Sequence, residues 1–495
     1  MATAINIHDL TFTYKGADHP ALDQVSLSVA AGECLILTGP AGAGKSTLCH
    51  CLNGLVPQVQ EGRLEGDILV GGKDVSQFRV QTLAKTVGLV MQDPEVQIVG
   101  RTVAEDIGFG PRNFLVEAAS LPNLISTALH LTGLKGYENR QTADLSGGEK
   151  QRLTVAGILA METPLLVLDE PASELDPAGR NTLYRNLARL NRENGVTLVI
   201  VEHRADDLNG MADRVVSLDR GSITGIAEVD GSNLPPRSHA LPRPPEIPSP
   251  DINTPAVIKV RQLNFNPGRP VLSHVNLTIR QKDFIALMGH NGAGKTTLAK
   301  HLNGLIPPPE GTVKFEGHDV SGMRSSDITR AVGFVFQNPD HQIFESTVAG
   351  EVGAGLVHRR LPKSIISERV DEALKVTGLT TARDVHPFTL GKGLRQLVAL
   401  ASVIILKPEV LVVDEPTTGL DAEGSARVMD ILTRLHNSGT SILFITHDLE
   451  LAAAHARRLV VMNQGSILMD EAMDKAFLSP DKLLDAGIFH RKERP

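Results

Sequence analysis

An internal repeat limits the folds open to this chain of 495 residues more than any other feature of its sequence. The segment LILTGPAGAGKSTLCHCLNGLVP at residues 35–57 returns as IALMGHNGAGKTTLAKHLNGLIP at residues 285–307. LLVLDEPASELD at residues 165–176 returns in the same order as VLVVDEPTTGLD at residues 410–421. The sequence therefore predicts a tandem duplication of one domain.

Proline marks the junction between the two copies. Residues 230–255, DGSNLPPRSHALPRPPEIPSPDINTP, are rich in proline and have no helical or strand periodicity, which predicts a semi-stiff linker. We therefore expect a first domain at residues 1–229 and a second domain at residues 256–495. A linker of this kind would reach roughly 80 Å when extended, so the two domains could pair within one chain.

Each copy carries short apolar runs that alternate with helical patterns. CLILTG, LLVLDE and TLVIVEH in the first copy are typical of buried parallel strands. This alternation predicts an α/β fold with a largely parallel sheet. Residues 100–161 and their counterparts 345–406 are richer in helical pattern, and we expect each segment to form an inserted helical lobe.

Composition excludes several classes of protein. Hydrophobic residues make up 41% and charged residues 21% of the chain, which is ordinary for a globular protein and excludes wholesale disorder. The net charge of -8 gives no reason to expect nucleic acid as the main partner. No apolar run reaches the roughly 18 residues of a membrane-spanning helix, and the start MATAINIHDL lacks the pattern of a secretory signal. We therefore expect the chain in the cytoplasm.

The cysteines are Cys34, Cys49 and Cys51. They are too few and too clustered for a disulfide framework or a four-ligand zinc site. We expect them to be buried as small hydrophobic side chains.

Two glycine-rich segments follow apolar strands and precede helices, and both fit the phosphate-loop pattern. In such a loop the backbone N–H groups converge on phosphate oxygens at a helix N-terminus, and a lysine adds a cation. The hydroxyl after the lysine binds Mg²⁺, a role that falls to Ser46 and Thr296. The predicted nucleotide-binding residues are Gly39, Pro40, Ala41, Gly42, Ala43, Gly44, Lys45, Ser46 and Thr47 in the first copy and Gly289, His290, Asn291, Gly292, Ala293, Gly294, Lys295, Thr296 and Thr297 in the second.

An Asp-Glu pair ends an apolar run in each copy, at Asp169-Glu170 and at Asp414-Glu415. A carboxylate at a strand end beside a phosphate loop would hold Mg²⁺, and we expect this role for both aspartates. The adjacent Glu170 or Glu415 could accept a proton from an attacking water, so both glutamates are predicted to be catalytic. The expected cofactors are ATP and Mg²⁺.

One histidine and one glutamine complete the predicted site in each copy. His203 and His447 each end a further strand, where either could donate a hydrogen bond to the γ-phosphate. Gln92 and Gln337 lie between sheet and helical lobe, and each could sense Mg²⁺ or the attacking water and relay that state to the lobe. The number of residues from the glutamine to the strand-end aspartate is the same in both copies.

These motifs resemble those of the ATP-binding cassette (ABC) ATPases over nearly all of both copies. LSGGEKQR at residues 145–152 is similar to the signature loop of that family, and SELD and TGLD are similar to its D-loop. The resemblance implies two P-loop domains, each with an antiparallel β subdomain besides the parallel sheet and the helical lobe. It also implies that Tyr14 stacks on adenine and that Ser146, Gly147 and Gly148 contact a bound nucleotide.

The second copy departs from the family pattern in two places. It reads FNPGRP where the first copy has Tyr14, which leaves Phe265 as the candidate substitute. Its signature loop reads GKGL at residues 391–394. If the copies pair head to tail, the altered loop faces the nucleotide at Lys45 and the intact loop faces the nucleotide at Lys295. We therefore expect a complete site at Lys295 and an incomplete one at Lys45.

A narrower resemblance lies after each glutamine. QDPEVQIVGRTVAEDIGFG and QNPDHQIFESTVAGEVGAG look like segments of the ATPases of energy-coupling factor importers, which take up vitamins, their precursors, or cobalt and nickel ions. The resemblance implies a peripheral position on the cytoplasmic face of the cell membrane. It implies a transmembrane scaffold protein and a substrate-capturing membrane protein as partners, and it assigns Glu105, Asp106 and Glu351 to the grooves that receive the scaffold.

Other classes stay open on the sequence. A tandem ABC protein that acts on ribosomes or DNA usually resembles chains with a long charged helical linker or zinc modules, whereas this linker is short and proline-rich. A nucleotide-binding regulator with weak turnover and the ATPase of a sugar importer are two further alternatives, and export competes with import. The sequence does not disclose the transported substrate, because in such systems specificity lies in a different polypeptide.

Overall fold

The computed structural model describes residues 3–202, 208, 210–229, 254–268, 270–478, 480–485 and 488. The chain divides into two compact units, Met1–Arg237 and Ser238–Pro495, which we call the first and the second unit. The predicted linker lies outside the described residues except for Thr254 and Pro255, and so does His203. The exact domain boundaries therefore stay predictions.

Ten strands form two sheets in the first unit. They are β1 (Thr3–Tyr14), β2 (Leu22–Ala30), β3 (Cys34–Thr38), β4 (Gly62–Val70), β5 (Lys73–Asp74), β6 (Val87–Val90), β7 (Leu165–Asp169), β8 (Thr197–Val201), β9 (Arg214–Asp219) and β10 (Ser222–Glu228). One sheet is antiparallel with the order β2-β1-β4-β5. The other has the order β10-β9-β3-β8-β7-β6 and is parallel except for the edge strand β10.

The helices of the first unit are α1 (Lys45–Leu52), α2 (Leu55–Gln58), α3 (Val80–Leu83), α4 (Val103–Ile107), α5 (Phe109–Asn113), α6 (Leu121–Thr132), α7 (Gly147–Leu159) and α8 (Pro177–Asn194). Helices α4 to α7 occupy the segment between β6 and β7. They bury a small apolar core of their own around Val103, Ile107, Leu129 and Leu153. This confirms the inserted helical lobe.

The second unit repeats both sheets. Its strands are β11 (Ala256–Phe265), β12 (Leu272–Arg280), β13 (Phe284–Met288), β14 (Glu310–Phe315), β15 (His318–Asp319), β16 (Val332–Val335), β17 (Val410–Asp414), β18 (Ser441–Ile445), β19 (Arg458–Asn463) and β20 (Ser466–Ala472). The antiparallel order is β12-β11-β14-β15 and the mixed order is β16-β17-β18-β13-β19-β20. Its helices are α9 (Lys295–Leu302), α10 (Ser325–Ala331), α11 (Val348–His358), α12 (Lys363–Thr377), α13 (Lys392–Ile404), α14 (Ala422–Asn437), α15 (Leu449–His455), α16 (Met473–Ala476) and α17 (Pro480–Asp485).

The central strands have apolar side chains on both faces. Every residue of β7, β8, β17 and β18 is buried, as expected for parallel strands that are covered from both sides. Because ligands of open α/β sheets bind outside the carboxyl ends of the strands, the functional residues are expected at the ends of β3 and β7 and of β13 and β17. The predicted α/β fold of two tandem P-loop domains is thereby confirmed.

Two further predictions concern the whole chain. Cys34, Cys49 and Cys51 are buried free thiols, as predicted. Among the described residues, no helix combines the length and the apolar composition that a membrane span requires.

Candidate functional site

The phosphate loops turn sharply between a strand and a helix. In the first unit Gly39 and Gly44 adopt φ angles of 147° and 98°. A Cβ atom at Gly39 would lie 2.1 Å from the carbonyl oxygen of Leu218 in β9. At Gly289, the counterpart in the second unit, a Cβ atom would lie 2.3 Å from the carbonyl oxygen of Met462 in β19. Glycine is required at this position because the loop backbone packs directly against the neighbouring strand.

The lysine of each loop is buried and folds back over the loop. Lys45 Nζ donates to the carbonyl oxygens of Gly39 and Pro40, both at 2.8 Å. Lys295 Nζ makes the equivalent two hydrogen bonds at 2.7 and 3.1 Å. Each ammonium is thereby fixed at the N-terminal end of α1 or α9, where the helix dipole and the backbone N–H groups attract phosphate.

The strand-end aspartates lie beside these loops. Asp169 and Asp414 are each 1% exposed. Thr296 Oγ1 donates to Asp414 Oδ2 at 2.7 Å. Burial raises the pKa of Asp414 to about 6, because the Thr296 hydroxyl only partly offsets it and the Glu415 carboxylate adds to it. The second carboxylate oxygen, Oδ1, is buried without a hydrogen-bond partner in the described part of the chain.

This arrangement fits a magnesium ion. Mg²⁺ prefers oxygen donors and commonly binds one or two carboxylates together with the phosphates of a substrate. Asp414 Oδ1 is such a donor, buried and unused by the protein around it. The described ranges hold no group of three or more His, Cys, Asp or Glu that could bind a metal ion. Thr296 and Asp414, with Ser46 and Asp169 as their counterparts, are the residues that would hold Mg²⁺ beside a bound nucleotide.

The glutamate after each aspartate has a left-handed backbone. The φ angle is 49° at both Glu170 and Glu415, which costs a residue other than glycine roughly 1–3 kcal/mol. The Glu170 N–H donates to the carbonyl oxygen of Val201 at 3.2 Å, and the Glu415 N–H donates to that of Ile445 at 3.1 Å. Since both copies keep the same strained backbone, we infer that it positions the two carboxylates.

Glu415, His447 and Lys295 converge in the second unit. His447 Nε2 lies 2.9 Å from Glu415 Oε1 and 3.5 Å from Lys295 Nζ. Thr418 Oγ1 donates to Glu415 Oε2 at 3.3 Å. Burial alone would raise the pKa of Glu415, but the neighbouring His447, Lys295 and Thr418 together outweigh it and hold the pKa below its ordinary value. Glu415 is therefore kept as a carboxylate, the form that can accept a proton.

A glutamine contacts the equivalent glutamate of the first unit. Gln92 Nε2 donates to Glu170 Oε2 at 3.0 Å. The buried Gln151 of α7 donates to the carbonyl oxygen of Glu170 at 3.3 Å. His203, the predicted partner of this glutamate, lies outside the described residues, and Gln337 is half-buried in the corresponding turn of the second unit. The structure therefore brings the predicted glutamine and glutamate of the first unit into direct contact.

The intact signature loop is held by a capping box. Ser146 is the N-cap residue of α7, which begins with Gly147 and Gly148. Glu149 Oε2 accepts hydrogen bonds from the Ser146 N–H at 2.8 Å and from the Ser146 hydroxyl at 2.9 Å. Arg140 donates to the other oxygen of Glu149 at 3.1 Å. The loop thus has a fixed shape before any nucleotide reaches it.

The altered signature loop lacks this support. Gly391 is the N-cap residue of α13 and offers no side chain to the helix. Leu394 stands at the position of Glu149 and is 39% exposed. Replacing a side-chain cap by glycine costs a helix only a few tenths of a kcal/mol, so the main change is the lost serine hydroxyl and the lost carboxylate that orients it.

Tyr14 ends β1 next to the phosphate-loop helix. Its hydroxyl lies 3.0 Å from Thr47 Oγ1 of α1 and donates to Gln60 Oε1 at 3.4 Å. The ring meets Phe12 edge-on at a centroid distance of 4.8 Å and is half-buried. These contacts hold the Tyr14 ring beside the phosphate-loop helix, and its stacking on a nucleotide base stays a prediction.

Phe265 is not the counterpart of Tyr14. It pairs with Leu272 in the β11–β12 register, as Phe12 pairs with Leu22 in the β1–β2 register. Its ring packs edge-on against the buried His301 at a centroid distance of 5.0 Å. The proposed substitution of Phe265 for the base-stacking tyrosine therefore does not agree with the structure, because this phenylalanine is partly buried, occupies the position of Phe12 and packs against the core of the second unit.

Two of the three predicted docking residues have a local structural role instead. Asp106 Oδ1 accepts hydrogen bonds of 2.8 Å from the N–H groups of residues 99 and 100, and Glu351 Oε2 accepts two of 2.9 Å from those of residues 344 and 345. Asp106 is 8% and Glu351 is 2% exposed, so neither side chain can reach a basic partner. Glu105 is exposed, and its carboxylate accepts from the N–H of residue 102 at 3.2 Å.

The same segments expose large apolar side chains that were not predicted as site residues. Val96 is 65%, Val99 60%, Phe109 53% and Phe344 73% exposed. Val99 and Phe344 occupy equivalent positions of the repeat, seven residues after the glutamine. That coincidence was a usable signal, because an apolar residue next to a polar turn in both copies is unusual for a solvent-exposed loop. We call Val96, Val99 and Phe109 the apolar docking surface of the first unit and Phe344 the apolar docking surface of the second unit.

The burial of Asp106 leads to a stability prediction. Asp106→Ala should destabilise the chain by about 1–3 kcal/mol, because it leaves two backbone N–H groups without an acceptor. Asp106→Asn keeps an acceptor oxygen and should cost less. Unfolding by urea, followed by circular dichroism, measures the difference, with Glu117→Ala, at an exposed acidic residue of the same lobe, as the control. Equal stability of Asp106→Ala and Glu117→Ala would contradict the structural role.

Comparison with known proteins identifies the family. The family model described as ABC transporter matches residues 22–173 and 272–418. A chain of Methanosarcina acetivorans named "Putative ABC transporter ATP-binding protein" is 38% identical over 98% of this chain and 88% of its own length. A protein of the same description from Caldanaerobacter subterraneus is 35% identical, and the alignment covers 98% of this chain and 94% of the relative.

Among solved structures, cbiO1 from Clostridium perfringens, described as part of the ABC transporter complex cbiONQ, is 31% identical with a TM-score of 0.43, and the match covers 46% of this chain and 94% of that one. The MJ0796 cassette bound to ADP and Pi is 24% identical with a TM-score of 0.42, over 46% of this chain and 99% of that one. The two family matches, the relatives that align along the whole chain and the duplicated phosphate-loop sites together show that this chain is an ATPase of the ABC transporter family with two ATP-binding cassettes.

Proposed function

We propose that this ABC transporter ATPase is the motor of an energy-coupling factor importer, and that the hydrolysis that drives uptake takes place at Lys295. The intact signature loop at Ser146, which the proposed head-to-tail pairing sets against Lys295, carries the proposal for the driving site, and the convergence of Glu415 and His447 on that lysine supports it. A vitamin, a vitamin precursor or a transition-metal ion is the proposed cargo. The importer type and the cargo class rest on the resemblance of the segments after Gln92 and Gln337.

Each residue of the site in the second unit is proposed to have a separate role in hydrolysis. The loop backbone and the Lys295 ammonium would bind the β- and γ-phosphates of ATP at the N-terminus of α9. Glu415, ionised and buried, would take the proton of the attacking water. His447 would donate a hydrogen bond to the γ-phosphate as negative charge is redistributed over it. Mg²⁺ held by Thr296 and Asp414 would neutralise part of the phosphate charge.

The two units are proposed to pair head to tail, which agrees with the length of chain between them. In this arrangement Ser146 and the Gly148 amide meet the nucleotide at Lys295, and residues 391–394 meet the nucleotide at Lys45. The missing serine hydroxyl removes one hydrogen bond to a charged group, worth roughly 1.5–3 kcal/mol. The Lys45 site would then bind ATP firmly, turn it over slowly and act as a standing clamp.

We propose that the apolar docking surface of each unit contacts a protein in the membrane. Large exposed apolar side chains that cluster in one segment, as Val96 and Val99 do, are typical of a protein contact surface. Phe344, at 73% exposure, and Val99 would receive short helices of a transmembrane scaffold, and the neighbouring Glu105 could select a basic partner by charge. We propose on this basis that the chain lies on the cytoplasmic face of the membrane and that a separate membrane protein, which captures the substrate, completes the importer.

The proposed asymmetry of the two sites can be tested in the assembled transporter. Glu415→Gln should lower the ATPase rate by at least about a hundredfold, since a general base contributes about 10²–10⁴-fold. Glu170→Gln should leave a substantial part of the rate, because the Lys45 site turns over slowly already. Steady-state release of phosphate measures both. A larger loss from Glu170→Gln would show that the asymmetry is reversed, and equal losses would show that the sites fire as one unit.

Base stacking at the first unit can be tested by substituting Tyr14. Tyr14→Ala should weaken ATP binding at Lys45 by about 1–3 kcal/mol, the usual contribution of an aromatic ring under a base. Tyr14→Phe should bind nearly as well as the parent, because the hydroxyl is already engaged by Thr47 and Gln60. Titration with a fluorescent ATP analogue in a Lys295→Ala chain isolates this site. Equal weakening by both substitutions would assign the hydroxyl, rather than the ring, to nucleotide binding.

The docking surface can be tested by co-purification. Phe344→Asp should strongly reduce recovery of membrane proteins with the chain, because a carboxylate would have to be desolvated in the interface. Leu478→Asp, at an exposed leucine outside the docking surface, is the matched control and should have no effect. Undiminished recovery with Phe344→Asp would reject this surface as the scaffold contact.

A further inference from the structure

In each unit an ion pair joins the turn after the glutamine to the helix that follows the signature loop. We call this helix, α7 in the first unit and α13 in the second, the signature helix. In the first unit Lys150 Nζ lies 2.5 Å from Glu95 Oε1. In the second unit the Arg395 guanidinium donates two hydrogen bonds to the Asp340 carboxylate, at 2.6 and 3.1 Å. In both copies the acid lies three residues after the glutamine and the base lies four residues after the helix N-cap. Both residue types have changed between the copies, yet the pairing of charges is the same.

The acid of each pair lies in a short capped turn that directly follows the glutamine. Asp93 Oδ1 accepts a hydrogen bond from the Glu95 N–H at 2.9 Å, and Asn338 Oδ1 accepts one from the Asp340 N–H at 3.0 Å. Each of these caps begins a single 3-10 turn. Since the cap residue directly follows the glutamine, a shift of Gln92 or Gln337 displaces the acid with it.

The basic end of each pair belongs to the first turn of the signature helix. The Lys150 N–H donates to the Ser146 carbonyl oxygen at 2.8 Å. The Arg395 N–H donates to the Gly391 carbonyl oxygen at 3.1 Å, and its guanidinium donates to that of Leu390 at 2.6 Å. Arg395 therefore contacts Leu390 and Gly391, the last two residues before α13 begins.

The ion pair of the second unit is bidentate and less exposed. The side chains of Arg395 and Asp340 are 18% and 26% exposed and form a bidentate pair, whereas those of Lys150 and Glu95 are 20% and 38% exposed. Bidentate arginine pairs hold a carboxylate in a defined orientation as well as attracting it. The Glu95 pair is the more solvated of the two, so its charge attraction is screened more by water.

A second side chain adds to this difference. Gln342 Nε2 donates to the Ala399 carbonyl oxygen at 3.0 Å and to Ser402 Oγ at 3.1 Å, and both acceptors belong to α13. Its counterpart Gln97 instead donates to the carbonyl oxygen of Leu89 at 2.8 Å, at the end of its own strand β6. The turn of the second unit is thus bound to its signature helix by two side chains.

The signature loop itself has more side-chain hydrogen bonds in the first unit than in the second. In the first unit the capping box between Ser146 and Glu149, with Arg140 behind it, holds the loop independently of the ion pair. In the second unit Leu394 replaces the capping glutamate. Arg395 contributes a hydrogen bond to the loop carbonyl there, so the altered loop depends on the same side chain that pairs with the turn.

We infer that Asp340 and Arg395 are positioning residues that carry the state of Gln337 to the altered signature loop, and that Glu95 and Lys150 form a looser version of the same connection in the first unit. The inference rests on the proposed head-to-tail pairing, in which the signature loop of one unit serves the nucleotide of the other. Each ion pair then connects the two nucleotide sites. ATP at Lys295 would favour closure of residues 391–394 on the nucleotide at Lys45.

If the ion pair connects the two sites, ATP bound at one site changes the affinity of the other site for ATP. Coupling between two sites usually changes such an affinity by about 5- to 150-fold. Binding of a fluorescent ATP analogue is measured in the full-length Glu170→Gln/Glu415→Gln chain, in which hydrolysis does not interfere. Arg395→Gln, Asp340→Asn and the double variant should each lower the coupling about five- to tenfold, the double variant no more than either single one. The reversed pair Asp340→Arg/Arg395→Asp should restore part of it.

Two controls separate this role from general stability. Asp371→Asn/Arg383→Gln removes an ion pair from the helical lobe of the second unit without touching the glutamine turn, and it should leave the coupling unchanged. Glu95→Asp/Lys150→Arg installs the second-unit residue types in the first unit and should keep the coupling at or above the parent value. Chains with intact catalytic glutamates should show a fall in kcat on Arg395→Gln larger than the change in KM.

The inference and the proposed function fail on different results. Unchanged coupling in Arg395→Gln, additive single variants, or a reversed pair that restores nothing would overturn the positioning role, whatever the rate of hydrolysis. An ATPase rate that is insensitive to Glu415→Gln would instead overturn the proposed driving site. The binding measurement would still decide on the ion pair in that case, since it is made without turnover.

Discussion

The packing of each phosphate loop against the end of the neighbouring strand is the contact on which the rest of the site depends. The backbone of Gly39 approaches the carbonyl oxygen of Leu218 so closely that a single added carbon atom would lie 2.1 Å from it. This contact fixes the loop, and the loop carbonyls then fix the lysine ammonium through two hydrogen bonds. The second unit repeats the same geometry around Gly289. A diverged copy can therefore alter its side chains while the shape that binds phosphate stays the same.

How much could be predicted from the sequence depended on the range of the interactions involved. The phosphate loops and the buried strands were predictable because glycine conformation, strand burial and helix start are local properties. The roles of Asp106 and Glu351 were not, because a carboxylate that bonds backbone N–H groups of a preceding turn has the same sequence as one that faces a partner. Phe265 was misplaced for a similar reason. The strand register shows that it corresponds to Phe12.

The ion pairs between turn and signature helix show another limit of the sequence. An acid and a base separated by 55 residues in each copy carry no local sign that they meet. Their recurrence in both copies would have been a signal, since Glu95 and Asp340 align, as do Lys150 and Arg395. Comparing the two copies of a duplicated chain in this way gives some of the information that related sequences usually supply, because each unit solves the same packing problem with different residues.

The positions of the three cysteines allow opening of the first unit to be followed by thiol modification. All three cysteines of the chain lie in that unit, one in β3 and two in the helix that follows the phosphate loop. Burial raises the pKa of Cys34 and of Cys51 to about 12, so almost no reactive thiolate exists at neutral pH while the unit is closed. Alkylation of native, unsubstituted protein would then proceed through transient opening of this unit alone. The rate of thiol modification would therefore measure how strongly a ligand stabilises the first unit. The second unit has no cysteine and would not contribute to the measured rate.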